Sequence, residues 1–204
     1  MMRTWIWIAG VAAAVSCSPR EKKEKDPLSE LPAKKQARVI EAQAEPDSLK
    51  GSLQAVATGA IGGQPITVDY YSPAVRGRII WGGLVPFDQV WVTGAHNCTR
   101  ITFEAAVVIE NQTLQAGTYA FLSIPGKEHW TLILNRNYRQ HLADNYSADE
   151  DVVRVDVLPT AAPHQERLRY QVIEASDENG FISVTWEQLR IQLPLALAVS
   201  SGQK

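Results

Sequence analysis

"PITVDYYS", residues 65–72, alternates side chains with period two: Ile66, Val68 and Tyr70 fall on one face, Thr67, Asp69 and Tyr71 on the other. Successive strand residues point to opposite sides, so this pattern predicts a β-strand with one buried face. Downstream, "GTYAFLSIPG" (117–126), "EHWTLILN" (128–135), "VVRVDVLP" (152–159), "RLRYQVIEA" (167–175), "GFISVTWEQ" (180–188) and "LRIQLPLAL" (189–197) read as further strands rich in aromatic and β-branched residues. Turn signals "ENQ" (110–112), "PGKE" (125–128) and "DENG" (177–180) punctuate them. Closely spaced short strands without a long amphipathic helix predict an all-β domain, an antiparallel β-sandwich of jelly-roll or Greek-key type. The one helical candidate downstream, Tyr138 to Ala148, reads as a loop with a single turn.

Upstream of that domain the composition changes. "MMRTWIWIAGVAAAVSC" places Arg3 before an apolar run from Trp5 to Val15, then small residues and Cys17. Eleven apolar residues fall short of the roughly 20 needed to span a bilayer core, so the segment reads as a signal peptide over 1–16. "AVSC" resembles the lipobox of bacterial lipoproteins, with Ala14 where Leu is commonest. That resemblance implies lipidation of Cys17 by diacylglyceryl and acyl (palmitate-type) chains, a membrane anchor, and a place in the bacterial cell envelope, on the periplasmic face of either membrane or at the surface. One acyl chain binds a bilayer only marginally, whereas several hold it firmly. Residues 17–50 hold no aromatic residue and interleave Lys with Glu. They are expected to form a flexible charged tether, with a short helix possible over Ala33 to Ala44. The sandwich is expected over 51–198 and a disordered tail over 199–204. "DSL" at 47–49 resembles an O-glycosylation acceptor, which makes Ser48 a candidate site.

Charge narrows the partners. The first fifty residues carry nine Lys/Arg and seven Asp/Glu, leaving eleven and fifteen for the rest, a net of −4. Phosphate neutralisation requires a basic stripe, so no nucleic acid is expected. No GxSxG elbow, phosphate-cradling loop or dinucleotide fingerprint is present, and no cofactor is expected.

The order "YYSPAVRGRIIWGGLVPFDQVWVTGAHNCTRITF" (70–103), "LQAGTYAFLSIPG", "WTLILN" and "VTWEQLRIQLPL" resembles the family catalogued as domain of unknown function 2911. The resemblance rests on Ser72–Pro73, Gly77–Arg78, Gly82–Gly83, Pro86, Trp91, Thr93–Gly94–Ala95, Gly117–Thr118–Tyr119, Pro125–Gly126, Trp130 and Trp186–Glu187. It implies an exported protein, commonly a lipoprotein, and no particular activity. Two positions depart from the family: Val92 stands where Arg is frequent, and Cys98 where a small residue such as Ala is usual.

Two stretches carry candidate chemistry. In "VWVTGAHNCTRI" (90–101) His96 and Cys98 would share a face of an extended chain, and a thiolate beside an imidazole is a nucleophile. Gly94 argues instead for a turn, and no third catalytic residue can be named. The four histidines form no HxH, HxxxH or HExxH pair, which leaves His96 alone as a metal candidate. "DNYSADED" (144–151) lacks calcium-loop spacing and reads as a solvated acidic turn. "SPAVRGRIIWGGLVPFDQVW" (72–91) sets arginines among aromatics. Exposed, these would form a glycan- or protein-binding surface by stacking and forked hydrogen bonds. The ligand-binding candidates are accordingly Arg78, Trp81, Trp91, His96 and Asn97, with Trp130 and Trp186 assigned to the core. The favoured reading is a non-enzymatic ligand-binding or accessory module. A hydrolase centred on His96 and a purely structural envelope protein are the alternatives.

Overall fold

The computed structural model describes residues 37–198. Cys17, the signal peptide and the 199–204 tail lie outside the described residues. Ten strands follow in order: β1 (Leu53–Ile61), β2 (Gln64–Ser72), β3 (Thr99–Phe103), β4 (Val107–Ile109), β5 (Gln112–Leu114), β6 (Gly117–Ile124), β7 (Trp130–Asn135), β8 (Asp151–Val157), β9 (Thr160–Glu174) and β10 (Asn179–Leu197). Among the described residues a single 3₁₀ turn, Ala148–Glu150, follows the loop read over 138–148 and shares only Ala148 with it. Two antiparallel sheets form, β1-β2-β3-β6-β7-β8 and β5-β4-β10-β9. The first is a meander interrupted once, where the β4–β5 hairpin crosses to the second sheet. The sandwich expected from the sequence is the fold.

Alternation builds the core. Ile66, Val68 and Tyr70 of β2 are buried, as are Trp130, Leu132 and Leu134 of β7 and Val153 and Val155 of β8. All join Trp186, Ile182 and Leu168 of the facing sheet in one apolar cluster. The turns match their chemistry. Gly62 and Gly63 (φ 54° and 73°) close β1–β2, and Glu110–Asn111 (φ 49° and 71°) close β4–β5, both with the positive φ values of a two-residue hairpin. The two strands expected over 180–188 and 189–197 are one strand, β10. Its register shifts around Glu187, which sits at φ 55°, so a bulge bends the strand without ending it.

β6 and β7 are buried on both faces, which explains their near-continuous apolar runs. Phe121 points into the main core. Ala120, Leu122 and Ile133 point outward and are covered by Val92 and Cys98, with Val90, Trp91, Tyr138 and Tyr146 around them. The cover consists of two long connections, residues 73–98 between β2 and β3 and 136–150 between β7 and β8.

Residues 37–50 are the described part of the stretch expected to form the tether. They lie along the domain without a helix, which replaces the helix considered over 33–44 for the positions described. Arg38 donates its N–H to the Gln54 carbonyl (3.0 Å) and accepts from Val56 N–H (2.8 Å), pairing parallel to the β1 edge. Ile40 enters the core, and Gln43 O accepts from Glu166 N–H at 2.8 Å. The clamp is Arg167, only 1% exposed. Its Nε donates to Asp47. Nη2 donates to Asp47 Oδ1 (2.9 Å) and Leu49 O (2.8 Å), and Nη1 to Gly51 O (3.2 Å) and Ser72 O (3.0 Å). All five guanidinium N–H groups are thereby satisfied. The neighbouring guanidinium holds the Asp47 carboxyl below the usual carboxylate range.

Candidate functional site: the β2–β3 excursion

Residues 73–98 leave the sandwich and return, and their backbone is strained. Arg76, Asp88, Thr93 and His96 all have φ between 48° and 60°. For β-branched Thr93 this is a true outlier, which persists only where the surroundings over-determine it. They do: the Thr93 hydroxyl donates to Ser123 Oγ (2.9 Å), and its carbonyl accepts from Thr99 Oγ1 (3.1 Å) and Tyr170 OH (2.7 Å). A Cβ on Gly94 would sit 2.9 Å from Thr99 Oγ1 and 3.1 Å from Tyr71 O, so this corner needs glycine.

The corner separates His96 from Cys98. His96 is exposed, its ring edge-on to Tyr71 with centroids 5.1 Å apart. Cys98 is buried, and its thiol donates to Tyr138 O at 3.2 Å. Burial pushes the Cys98 thiol up to about 11, so it is a protonated packing group and not a nucleophile. Backbone bonds stitch the corner to the second cover: Cys98 N–H to Gln140 O (3.1 Å) and Leu142 N–H to His96 O (2.8 Å). Asn97 is exposed and bridges His141 through its backbone. Among the described residues no three His, Cys, Asp or Glu side chains are grouped to hold a metal. The acidic 144–151 turn is more structural than its composition implied. Asp151 accepts from Asn135 Nδ2 (2.8 Å) and Tyr146 OH (2.7 Å), which occupies the carboxylate with internal donors.

Both ends of the excursion meet in a cleft of about 160 Å³ lined by Gly51, Ser52, Ala74, Arg76, Arg78 and His96. No carboxylate lines it. Among the described residues neither Arg76 nor Arg78 has a carboxylate within ion-pair distance. Each arginine is anchored from one side. Arg76 Nη2 donates to Leu49 O and to Gly51 O, and Arg78 donates through Nε to Val75 O (3.1 Å) and through Nη2 to Ala74 O. That leaves Nη1 of both without a protein partner among the described residues. The buried Glu166 carboxylate fixes the turn from behind, accepting from Arg76 N–H at 2.9 Å. The docked segment supplies the opposite wall, because Leu49 and Gly51 are gripped by Arg76 and Arg167 together. Ser48 lies exposed in that segment, beside the clamped Asp47.

The middle of the excursion covers a cluster of four tryptophans, every one within the described residues. Trp81 packs edge-on against Trp91 (centroids 6.0 Å), Trp130 (4.9 Å) and Trp186 (5.7 Å), while Trp91 and Trp186 lie nearly parallel, 21° apart at 5.9 Å. Trp130 and Trp186 are buried at 2% exposure, as expected; Trp81 and Trp91 are half-buried against the core. The aromatic–arginine platform read from the sequence is thus two places. Arg78 and His96 belong to the cleft, and Trp81 and Trp91 to the cluster, where tryptophans pack on tryptophans. The single cation–π contact among the described residues is Arg139 over Tyr138.

A model for the family described as "Protein of unknown function (DUF2911)" matches residues 52–195. The chain belongs to this family. No curated protein and no solved structure matches it. The match covers the sandwich and the excursion and excludes the segment gripped by Arg167. Several of the DUF2911 framework positions recur as joints of the excursion: Ser72 Oγ donates to Leu168 O (2.7 Å), Gly77 and Gly82 sit at φ 65° and 76°, and Gly94 closes the corner. The two departures, Val92 and Cys98, lie together in the outer apolar cluster.

Sequence reasoning missed Arg76 as a cleft residue and missed the role of residues 47–52. Arg76 carried a signal in hindsight: Arg76–Gly77 is a turn dipeptide whose two positive φ values turn both flanking arginines toward one cleft. The 47–52 wall carried none, since its grip comes from Arg167, more than a hundred residues away.

Proposed function

We infer that this DUF2911 protein is a non-enzymatic binding module of the bacterial envelope, held to the bilayer through acylated Cys17, and that its cleft takes an acidic group of an envelope glycan or protein. The observation that carries this reading is the pairing of Arg76 and Arg78, neither of them in an ion pair among the described residues, beside His96 around an open cleft of about 160 Å³. Guanidinium groups with free Nη1 donors suit the planar, forked geometry of a carboxylate or a phosphate oxygen pair. The anchor reading rests on the Arg3–apolar–Cys17 pattern and is independent of the cleft. The hydrolase alternative finds no support in the geometry: His96 faces no carboxylate in the cleft, and Cys98 is turned away from it.

The test is isothermal titration of the full chain, in mild detergent, with D-glucuronate and with inorganic phosphate. Saturable binding to at least one is expected. Each lost charge-assisted hydrogen bond is worth about 1.5–3 kcal/mol, so Arg78→Gln should weaken binding at least tenfold. Binding unchanged in Arg78→Gln and in His96→Gln would remove the cleft from the account. For the anchor, labelled palmitate should enter the wild-type chain in a bacterial host and not Cys17→Ser; equal labelling would refute lipidation there.

A further inference from the structure

Exposed aliphatic side chains gather around the basic cleft. Among the described residues six large apolar side chains are exposed: Val39, Leu49, Ile79, Leu84, Leu142 and Leu158. Such residues scattered singly need no explanation. Four of the six, however, are tied to cleft residues. The Leu49 carbonyl accepts from Arg76 Nη2, and Leu142 N–H donates to His96 O at 2.8 Å. Ile79 follows Arg78 directly, and Leu84 N–H donates to Ile79 O at 3.0 Å.

Ile79 and Leu84 form a fixed, projecting tip. The turn Ile79–Val85 closes on itself through Gly82 N–H to Val85 O (2.9 Å), Gly83 N–H to Ile80 O (3.3 Å) and Val85 N–H to Ile80 O (2.9 Å). Ile80 and Val85 are buried and pin the turn to the core. A Cβ on Gly83 would meet Ile79 Cβ at 3.1 Å, so glycine lets the two limbs close. Held this way, Ile79 is 78% and Leu84 46% exposed. The exposed residues from 76 to 84 are two arginines, three glycines, Ile79 and Leu84. They include no carboxylate, although the chain beyond residue 50 is acidic as a whole.

We propose that this tip docks on an anionic bilayer surface, with Arg76 and Arg78 on lipid phosphates and Ile79 and Leu84 in the boundary between headgroups and acyl chains. Guanidinium groups fork onto phosphate oxygens. Interfacial binding grows with the apolar area inserted and with attraction to anionic lipid. A bilayer accepts a projecting aliphatic tip without a matching pocket, whereas a protein partner needs a hollow shaped to it. With Cys17 acylated, the surface is within reach. The 19 residues between Cys17 and residue 37 span at most about 70 Å, against a radius of gyration of about 15 Å for a domain of this size. The proposal rests on that acylation and on the same unpaired arginines as the cleft reading. Ile79 and Leu84 do not line the cleft, which keeps the two separable.

The test is a ¹H–¹⁵N spectrum of the full chain, acylated in a bacterial host and inserted in nanodiscs whose lipids carry a headgroup nitroxide, which broadens amides close to the bilayer surface. In discs containing phosphatidylglycerol the Arg78 to Leu84 amides are expected to lose most of their intensity; in phosphatidylcholine discs they should keep it. Ile79→Ser with Leu84→Ser should restore the signals in anionic discs and leave D-glucuronate affinity unchanged. Arg76→Gln with Arg78→Gln should restore them and also weaken glucuronate binding. Should either variant not fold, the wild-type contrast between the two lipids carries the test. Equal broadening in both lipids, broadening centred on another face, or none at all would each overturn the proposal while leaving glucuronate binding by the cleft untouched. Shifts at 79–84 that grow with protein concentration in the absence of lipid would give the tip to a second copy of the chain, and overturn it too.

Discussion

Replacing Asp47 by Asn removes the one negative charge that faces buried Arg167. Leaving a buried ion without its partner costs about 3–5 kcal/mol. Two features of the structure lower that figure. An Asn oxygen can still accept one of the two guanidinium bonds, and the Asp47 side chain keeps 14% of its surface in water. The expected loss is therefore about 2–3 kcal/mol, which for a domain of this size lowers the midpoint of thermal unfolding by about 5–10 °C. Thermal and urea unfolding of the full chain in mild detergent measure it. The pH dependence has a definite sign. Asp47 is held below its ordinary value near 3.9. Its contribution is thus complete above that value and is lost as pH falls through the depressed one. Wild type and Asp47→Asn should differ fully at pH 7 and converge below about pH 4. Pairing Asp47→Asn with Arg167→Met should cost no more than Arg167→Met alone, because no buried charge remains. A loss under about 0.5 kcal/mol for Asp47→Asn at pH 7 would refute the claim that residues 47–51 are clamped to the sandwich.

Other consequences are open to simple assays. With its thiol pushed up to about 11, Cys98 should react with a disulfide reagent at pH 8 only as fast as the protein opens, and at full speed in denaturant. Gly94→Ala forces a Cβ to within 2.9 Å of Thr99 Oγ1 and should destabilise by about 1–3 kcal/mol in urea unfolding; a neutral result would mean the corner is not tightly packed. Asp47→Asn should also weaken glucuronate binding, because the same segment forms a wall of the cleft, and calorimetry of the variant at a temperature well below its unfolding reads this.

Much of the fold is legible in the sequence because one face of each strand is apolar. Ile66, Val68 and Tyr70 announce β2, and the doubly apolar "GTYAFLSI" announces a strand covered on both sides. The clamp is illegible for the same reason. In β9, Leu168 and Tyr170 point to the core, so alternation sends Arg167 outward, where an arginine is unremarkable. Its cover is residues 47–51, which meet it through backbone carbonyls and one carboxylate, and polar contacts leave no hydrophobic pattern to read. The site was half visible. Arg78, Trp81, Trp91 and His96 were all identified within one excursion, but their division into a basic cleft and an aromatic cluster depends on backbone turns at Arg76, Gly82 and Thr93. Positive φ at Arg76 and Thr93 is set by tertiary hydrogen bonds, not by residue type. The His96–Cys98 pairing dissolved likewise: His96 takes φ 60°, which breaks the strand alternation that would have aligned the two.

The most direct test of the central claim is a map of the binding surface by ¹H–¹⁵N chemical shifts, with D-glucuronate added to the labelled full chain. The account predicts saturable perturbations at Gly51, Ser52, Ala74 to Arg78 and Ala95 to Asn97, with the β8 face silent. Perturbations centred elsewhere, or none at all, would contradict it.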